Sequence, residues 1–253
     1  GQALRGATCD DAKHMTPEVK EQRLMALRPH EREMRSKGVP LQGAGLIFGV
    51  SEDDLMVDPF VIPRHWPPII GVDFGISTQH PFSAACWAWD KDADVIYLVS
   101  EYQTTNDLPA AHIDAIQEWG KWKPVSWPHG GANREKGTGD ELQAVYRRKG
   151  LNLLPWKATN PPTVGQKEGE GGNSLEASVL AMLDDMLLGR LKIFSTCQVW
   201  LKERRMYHRD IKGKIVRLNE DMICASRYGH MMKRHARTMS VTPRRQLTVV
   251  GMR

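Results

Sequence analysis

The spacing of apolar positions along this chain changes near residue 67. Residues 1–66 are polar and broken by Pro17, Pro29, Pro40, Pro59 and Pro63. Thr16 before Pro17 predicts a capped helix over Pro17–Leu27, and a second short helix over Pro29–Ser36 stops at Lys37-Gly38. After Pro67-Pro68 the apolar runs become short, dense and β-favouring: Ile69–Phe74, Phe82–Trp89 and Val95–Tyr102. Asp90–Asp94 is a polar turn between the last two. This order predicts three strands in hairpin succession, the first ending in Asp73.

Further on, helical and strand signals alternate. Pro109–Trp119 reads as a helix and Val125–Trp127 as a short strand. Thr138-Gly139-Asp140-Glu141 has the capping-box form, which predicts a helix running to Lys149 and stopping at Gly150. Leu151–Leu154 reads as a strand and Asn160–Gly172 as a mobile loop rich in Pro, Gly and charge. Leu175–Leu188 is an amphipathic helix, with Glu176 placed for a capping role after Asn173. Lys192–Phe194, Cys197–Tyr207, Lys214–Arg217 and Asp221–His235 then read as strand, helix, strand and helix. The fold class is α/β, a mixed sheet with its first strand central.

Composition narrows the function classes. The 253 residues suit one domain with an extension, or two small domains. With 41% hydrophobic and 26% charged residues the chain is globular rather than disordered. No run approaches the ~20 apolar residues of a membrane span, and no N-terminal segment resembles a secretory signal. The start at Gly1 suits a fragment or a processed product. Cys9, Cys86, Cys197 and Cys224 have no metal-ligand spacing and read as buried free thiols of a reducing compartment. The net charge of +5 hints at an anionic partner. From Lys233 onward the chain has six Lys and Arg side chains (Lys233, Arg234, Arg237, Arg244, Arg245, Arg253) and no acid, either a nucleic-acid or protein contact or a solvated end.

The candidate chemistry centres on Asp73. A carboxylate on an apolar strand, flanked by Gly71 and Gly75, must be paired, metal-bound or bonded to backbone amides. Asp221 opens an apolar helix, as a plain N-cap or as a carboxylate aimed at Asp73. Two acids brought together without a counter-ion repel, so their pairing argues for metal. His129, after a strand, is a ligand, a proton carrier, a phosphate contact or a structural residue. Gly130–Gly139, with Arg134 and Lys136, is a flexible run able to cradle a phosphate, without Walker A spacing. Asp140 and Glu141 suit a helix N-terminus. Trp87, Trp89 and Trp127 read as core, and His208-Arg209-Asp210 has no kinase context.

Several segments together resemble the C-terminal nuclease region of the large terminase subunit of tailed, headful-packaging phages. They are Gly71–Gly75 with His80-Pro81, Trp127-Pro128-His129, Lys136–Gly139, Gly150–Pro155 and Asn219–Tyr228, in that order over roughly Pro68–Arg237. Thr8–Val50 looks like the end of that family's ATPase motor domain and its linker. The resemblance implies residues 1–66 as motor end and linker, 67–237 as an RNase H-like nuclease domain, and 238–253 as a basic tail. It implies a mixed sheet of three antiparallel strands followed by parallel strands, flanked by helices. It implies an endonuclease that holds two Mg2+ or Mn2+ ions and cuts concatemeric double-stranded viral DNA at packaging initiation and termination. Asp73 maps to the first-strand acid and Asp221 to the acid opening the last helix. Arg134 and Lys136 are the implied DNA contacts. The implied partners are viral DNA, the portal protein, the procapsid and the small terminase subunit, in host cytoplasm and transiently at the portal vertex. The family's Walker loop belongs ahead of Gly1, so no ATP turnover is expected of this chain. One departure stands out: where the family has an Asp after Trp-Pro-His, this chain has Gly130. His129, Glu135 or Asp140 is then the substitute ligand, or the chain is a catalytically impaired module that grips DNA or docks on the portal.

Overall fold

Strand alternation builds two cores on opposite faces of one sheet. A computed structural model describes residues 45–75, 77–129 and 142–239. Its elements are α1 (Glu52–Leu55), β1 (Met56–Val57), β2 (Pro68–Asp73), β3 (Phe82–Asp90), β4 (Val95–Thr104), α2 (Pro109–Glu118), β5 (Val125–Ser126) and α3 (Leu142–Arg148). They continue with α4 (Leu175–Leu187), β6 (Leu191–Phe194), α5 (Gln198–Met206), α6 (Asp221–Met231) and a 3-10 turn (Lys233–His235). The six strands run in the order β1-β6-β4-β3-β2-β5. β2, β3 and β4 form the antiparallel meander; β5 joins β2, and β6 joins β4, in parallel. β2 is therefore an inner strand, between β3 and β5.

On one face Ile69, Ala85, Trp87, Ile96 and Leu98 pack with Val179, Trp200, Met222 and Ile223 of α4, α5 and α6. On the other, Ile70, Val72, Phe82, Ala84 and Cys86 pack with Ile113, Ile116 and Tyr146 of α2 and α3. Trp87 and Trp127 are buried in these cores. Cys86, Cys197 and Cys224 are free and buried.

The register breaks once. Opposite Cys86 and Trp87, β4 carries an extra residue, Val99, because Cys86 pairs with Ser100 and Trp87 with Leu98. A bulge of this kind shifts the alternation beyond it by one position. Glu101 and Gln103, rather than Ser100 and Tyr102, then share the face of Ala85 and Ser83, toward α5 and α6.

Several segments differ from their sequence reading. Residues 46–57, read as part of a linker, carry core and sheet: Phe48 is fully buried, and β1 pairs with β6 at the sheet edge. Leu151–Leu154 and Lys214–Arg217 form single bridges, Val125 to Leu153 and Arg209 to Ile215, instead of strands. Ser174, not Asn173, caps α4, its Oγ accepting from Ala177 N at 3.3 Å. Glu176 instead pairs with Arg209. The loop 160–172 is pinned: Arg234 and His235 bind Glu168, and Asn160 N donates to the Gly172 carbonyl at 2.9 Å. The predicted helices within residues 17–36 and the capping box at Thr138 lie outside the described residues. Among the described residues no helix is long and apolar enough to cross a membrane.

Candidate active site

Period-two alternation puts Ile69, Gly71 and Asp73 on the same face of β2. That face meets α6, and the meeting is close because neither backbone carries a side chain at the crossing. A Cβ on Gly71 would overlap the Ala225 carbonyl oxygen and the Gly229 backbone, and one on Gly229 would lie 2.6 Å from Trp87 Cδ1. This crossing brings the first residue of α6, Asp221, to the end of the strand that carries Asp73. Ser126 of β5 ties the same helix from the other side, its Oγ donating to the Tyr228 carbonyl at 2.8 Å.

The chain after β2 then folds back on itself. A Cβ on Gly75 would overlap the His80 and Pro81 carbonyl oxygens, so the turn needs glycine. Ser77 N donates to the His80 carbonyl at 3.0 Å, and His80 N donates to Ser77 Oγ at 3.1 Å. The turn places His80 Nδ1 3.6 Å from Asp221 Oδ1, with the His80 side chain largely exposed.

Burial outweighs the nearby positive charges in the electrostatics of the pair. The Asp73 carboxyl is pushed up to about 6, first by burial and then by the Asp221 charge, against the pull of Arg227. Asp221 is also raised, by burial, against the pull of His80. Arg227 is buried, with Nη1 donating to Ser178 Oγ at 3.0 Å, and supplies a fixed positive charge behind the pair. In front, Arg217 Nε donates to Glu220 Oε1 at 2.7 Å. Two oxygen donors that repel each other fit a hard divalent cation, which would relieve both the burial and the repulsion. Among the described residues no group of three or more such ligands converges.

The remaining candidates stand apart. The His129 ring nitrogen Nε2 lies 3.2 Å from the Ala158 carbonyl oxygen, and burial lowers the pKa of the ring. Gly130, Arg134, Glu135, Lys136 and Asp140 lie outside the described residues. Sequence reasoning missed Glu203. This α5 residue is buried against the first turn of α6, accepting from Ile223 N at 3.0 Å and from Gln103 Nε2 at 3.0 Å. Burial, opposed by these hydrogen bonds and helped by the Asp221 charge, pushes its carboxyl up to about 7. The available signal was its place three residues after Trp200, on the apolar side of α5.

Comparison with known proteins settles the family. Residues 70–233 match the model of the terminase RNaseH-like domain. The chain belongs to the terminase RNase H-like family. It is 41% identical over 238 residues to the large terminase subunit of Salmonella phage P22, covering 94% of this chain and 46% of that protein. It is 40% identical over 232 residues to the large terminase subunit of Enterobacteria phage LP7, covering 92% of this chain and 47% of that one. The chain thus spans about half the length of these relatives. Among solved structures it is similar to the P22 large terminase nuclease domain, with TM-score 0.69 and 41% identity, covering 78% of this chain and 96% of that one. The nuclease domain of the phage SPP1 large terminase, solved with bound Mn, shares the fold at TM-score 0.52 and 16% identity, covering 73% and 99%. This chain therefore carries a terminase nuclease domain of RNase H-like fold. Within this terminase domain, Asp73 ends a strand of the meander and Asp221 opens α6.

Proposed function

We propose that this terminase nuclease domain is a divalent-metal-dependent endonuclease that cuts concatemeric double-stranded DNA when genome packaging starts and ends. The observation that carries the reading is the pairing of Asp73 with Asp221 across the glycine-to-glycine crossing of β2 and α6. The Mn bound by the SPP1 relative points the same way.

Asp73 and Asp221 are the residues that would hold Mg2+ or Mn2+. Such ions would supply water activation and neutralisation of the charge that develops as the phosphodiester breaks. The protein's part is to hold both carboxylates at one strand end, Arg227 offsetting part of the burial of Asp73 and His80 part of that of Asp221. His80, on the exposed side of Asp221, is placed to orient that carboxylate. Glu135, Asp140 and His129 are the candidates for a further ligand in place of the family acid at Gly130, and Arg134 and Lys136 for DNA contact. Contact with DNA is then mainly with phosphates and weakens with salt. Kinship with the P22 and LP7 large subunits supports viral DNA, portal protein, procapsid and small terminase subunit as partners, in host cytoplasm and at the portal vertex.

The test is plasmid cleavage in Mg2+ or Mn2+ beside Asp73→Ala. Cleavage that disappears in the variant supports the reading. No cleavage by either protein overturns it in favour of a DNA-gripping or portal-docking module, with Gly130→Asp as the rescue to attempt.

A further inference from the structure

The N-terminus of a helix leaves backbone N–H groups without intrahelical partners, and these are usually met by the side chain of the N-cap residue. Neither α5 nor α6 is capped in this way. Cys197 precedes α5 and Glu220 precedes α6, and neither side chain makes a capping hydrogen bond. Each helix is capped instead by a carboxylate from the element packed against it. Glu101 of β4 accepts from Val199 N at 2.7 Å and from Trp200 N at 2.9 Å, at the start of α5. Glu203 of α5 accepts from Ile223 N at 3.0 Å, at the start of α6. Gln103 of β4 joins the series: its Nε2 donates to Glu203 Oε1 and to Ser83 Oγ, both at 3.0 Å. Ser83 is the register partner of Asp73.

The connections thus form a continuous path from the strand residue paired with Asp73, through Gln103 and Glu203, to the turn of helix that begins with Asp221. The bulge at Val99 is what turns Glu101 and Gln103 to this side of the sheet.

We propose that Glu203 is a positioning residue for the nuclease: by capping α6 from α5 while held by Gln103, it fixes where Asp221 stands relative to Asp73, and so sets affinity for divalent metal. The proposal rests on the metal-dependent reading above. Glu203 itself touches no ion; it acts through the backbone of the helix that presents Asp221. Partners that orient metal ligands commonly account for about ten- to a hundredfold in metal affinity.

The experiment measures Mn2+ affinity by electron paramagnetic resonance on the full chain, with thermal melting alongside. Glu203→Ala should weaken Mn2+ binding about tenfold or more. Glu203→Gln should recover most of that loss, because its amide oxygen can still accept from Ile223 N. Gln103→Ala should weaken binding in the same direction, and it keeps the test available if Glu203→Ala does not fold. Wild-type affinity in folded Glu203→Ala, or in Gln103→Ala if the former does not fold, overturns the proposal. So does a Gln variant as weak as the Ala variant, since charge rather than capping would then be the cause. Absence of Mn2+ binding in the wild-type chain overturns the metal reading and this proposal together, a result distinct from both.

Discussion

Gly71 of β2 and Gly229 of α6 meet backbone to backbone, with no room for a Cβ on either. The crossing is what lets a helix lie directly on the strand that ends in Asp73. Gly71→Ala would press a methyl group into backbone that has no rotamer to yield. The expected cost is about 3 kcal/mol or more, read as a lower midpoint in urea denaturation. Cleavage should fall further than the folded fraction, because α6 carries Asp221 away from Asp73. A midpoint equal to wild type would mean that the two backbones are not in contact.

Asp73 makes stability depend on pH in an unusual direction. Its carboxyl ionises near 3.8 when unfolded, but in the metal-free fold it keeps its proton until about 6. The folded state binds more protons across that window, so this contribution falls as pH rises from about 4 to about 6 and stays lost above it. Asp73→Asn should therefore stabilise the metal-free protein at neutral pH by an amount on the order of 2 kcal/mol, while abolishing cleavage. Melts in EDTA across this pH range would check it. A variant that melts below wild type at neutral pH would contradict the account.

A second buried acid has the opposite sign. Burial would raise Asp185, but hydrogen bonds from His230 and Lys233, each at 2.8 Å, outweigh it and hold the carboxyl well below the usual range. Arg190 Nη2 adds a contact at 2.8 Å. This contribution is full above the unfolded value of about 3.9 and is lost as pH falls toward the folded one. Asp185→Ala leaves Lys233, Arg190 and the buried His230 ring without their shared acceptor and should cost about 3–5 kcal/mol. A loss within experimental error in denaturant titration would show that the cluster is dispensable.

The clamp on loop 160–172 predicts a proteolytic phenotype. The Arg234 hydrogen bond, with help from His235, holds Glu168 down at about 2. Arg234→Ala removes that anchor and the bonds to Thr159. Trypsin should then cut after Lys167 several-fold faster than in wild type, with little change in melting temperature. An unchanged cleavage rate would place the loop's order elsewhere, in the packing of Gly169 on Trp156.

The sequence carried the meander well. The runs at 69–74, 82–89 and 95–102 were legible because dense apolar, β-favouring residues separated by turns leave a local signal, and an acid ending the first run invited a charge partner. β1 was not legible. It is two residues long, and its partner β6 lies more than a hundred positions away, so nothing in Met56-Val57 marks it. Glu203 was hidden for a different reason: in Lys202-Glu203-Arg204-Arg205 a carboxylate reads as one more solvated charge. Only the tertiary fold places it under the start of α6. The bulge at Val99 leaves no mark in composition either, yet it decides which side chains of β4 face the site.

The edge strand has a mechanical meaning. Ile47 N donates to the Tyr207 carbonyl, Leu46 bridges His208, and β1 lies along β6. Between Leu46 and Val57 the backbone is tied at one end to the residues that follow α5 and at the other to the sheet, with Phe48 sunk in the core between them. Force applied along the chain at Gly45 meets no slack there. It is taken up first by the bonds to Tyr207, His208 and Arg209 at the end of α5 and only then by the β1–β6 pair, so α5, this segment and the sheet edge would move as one lever.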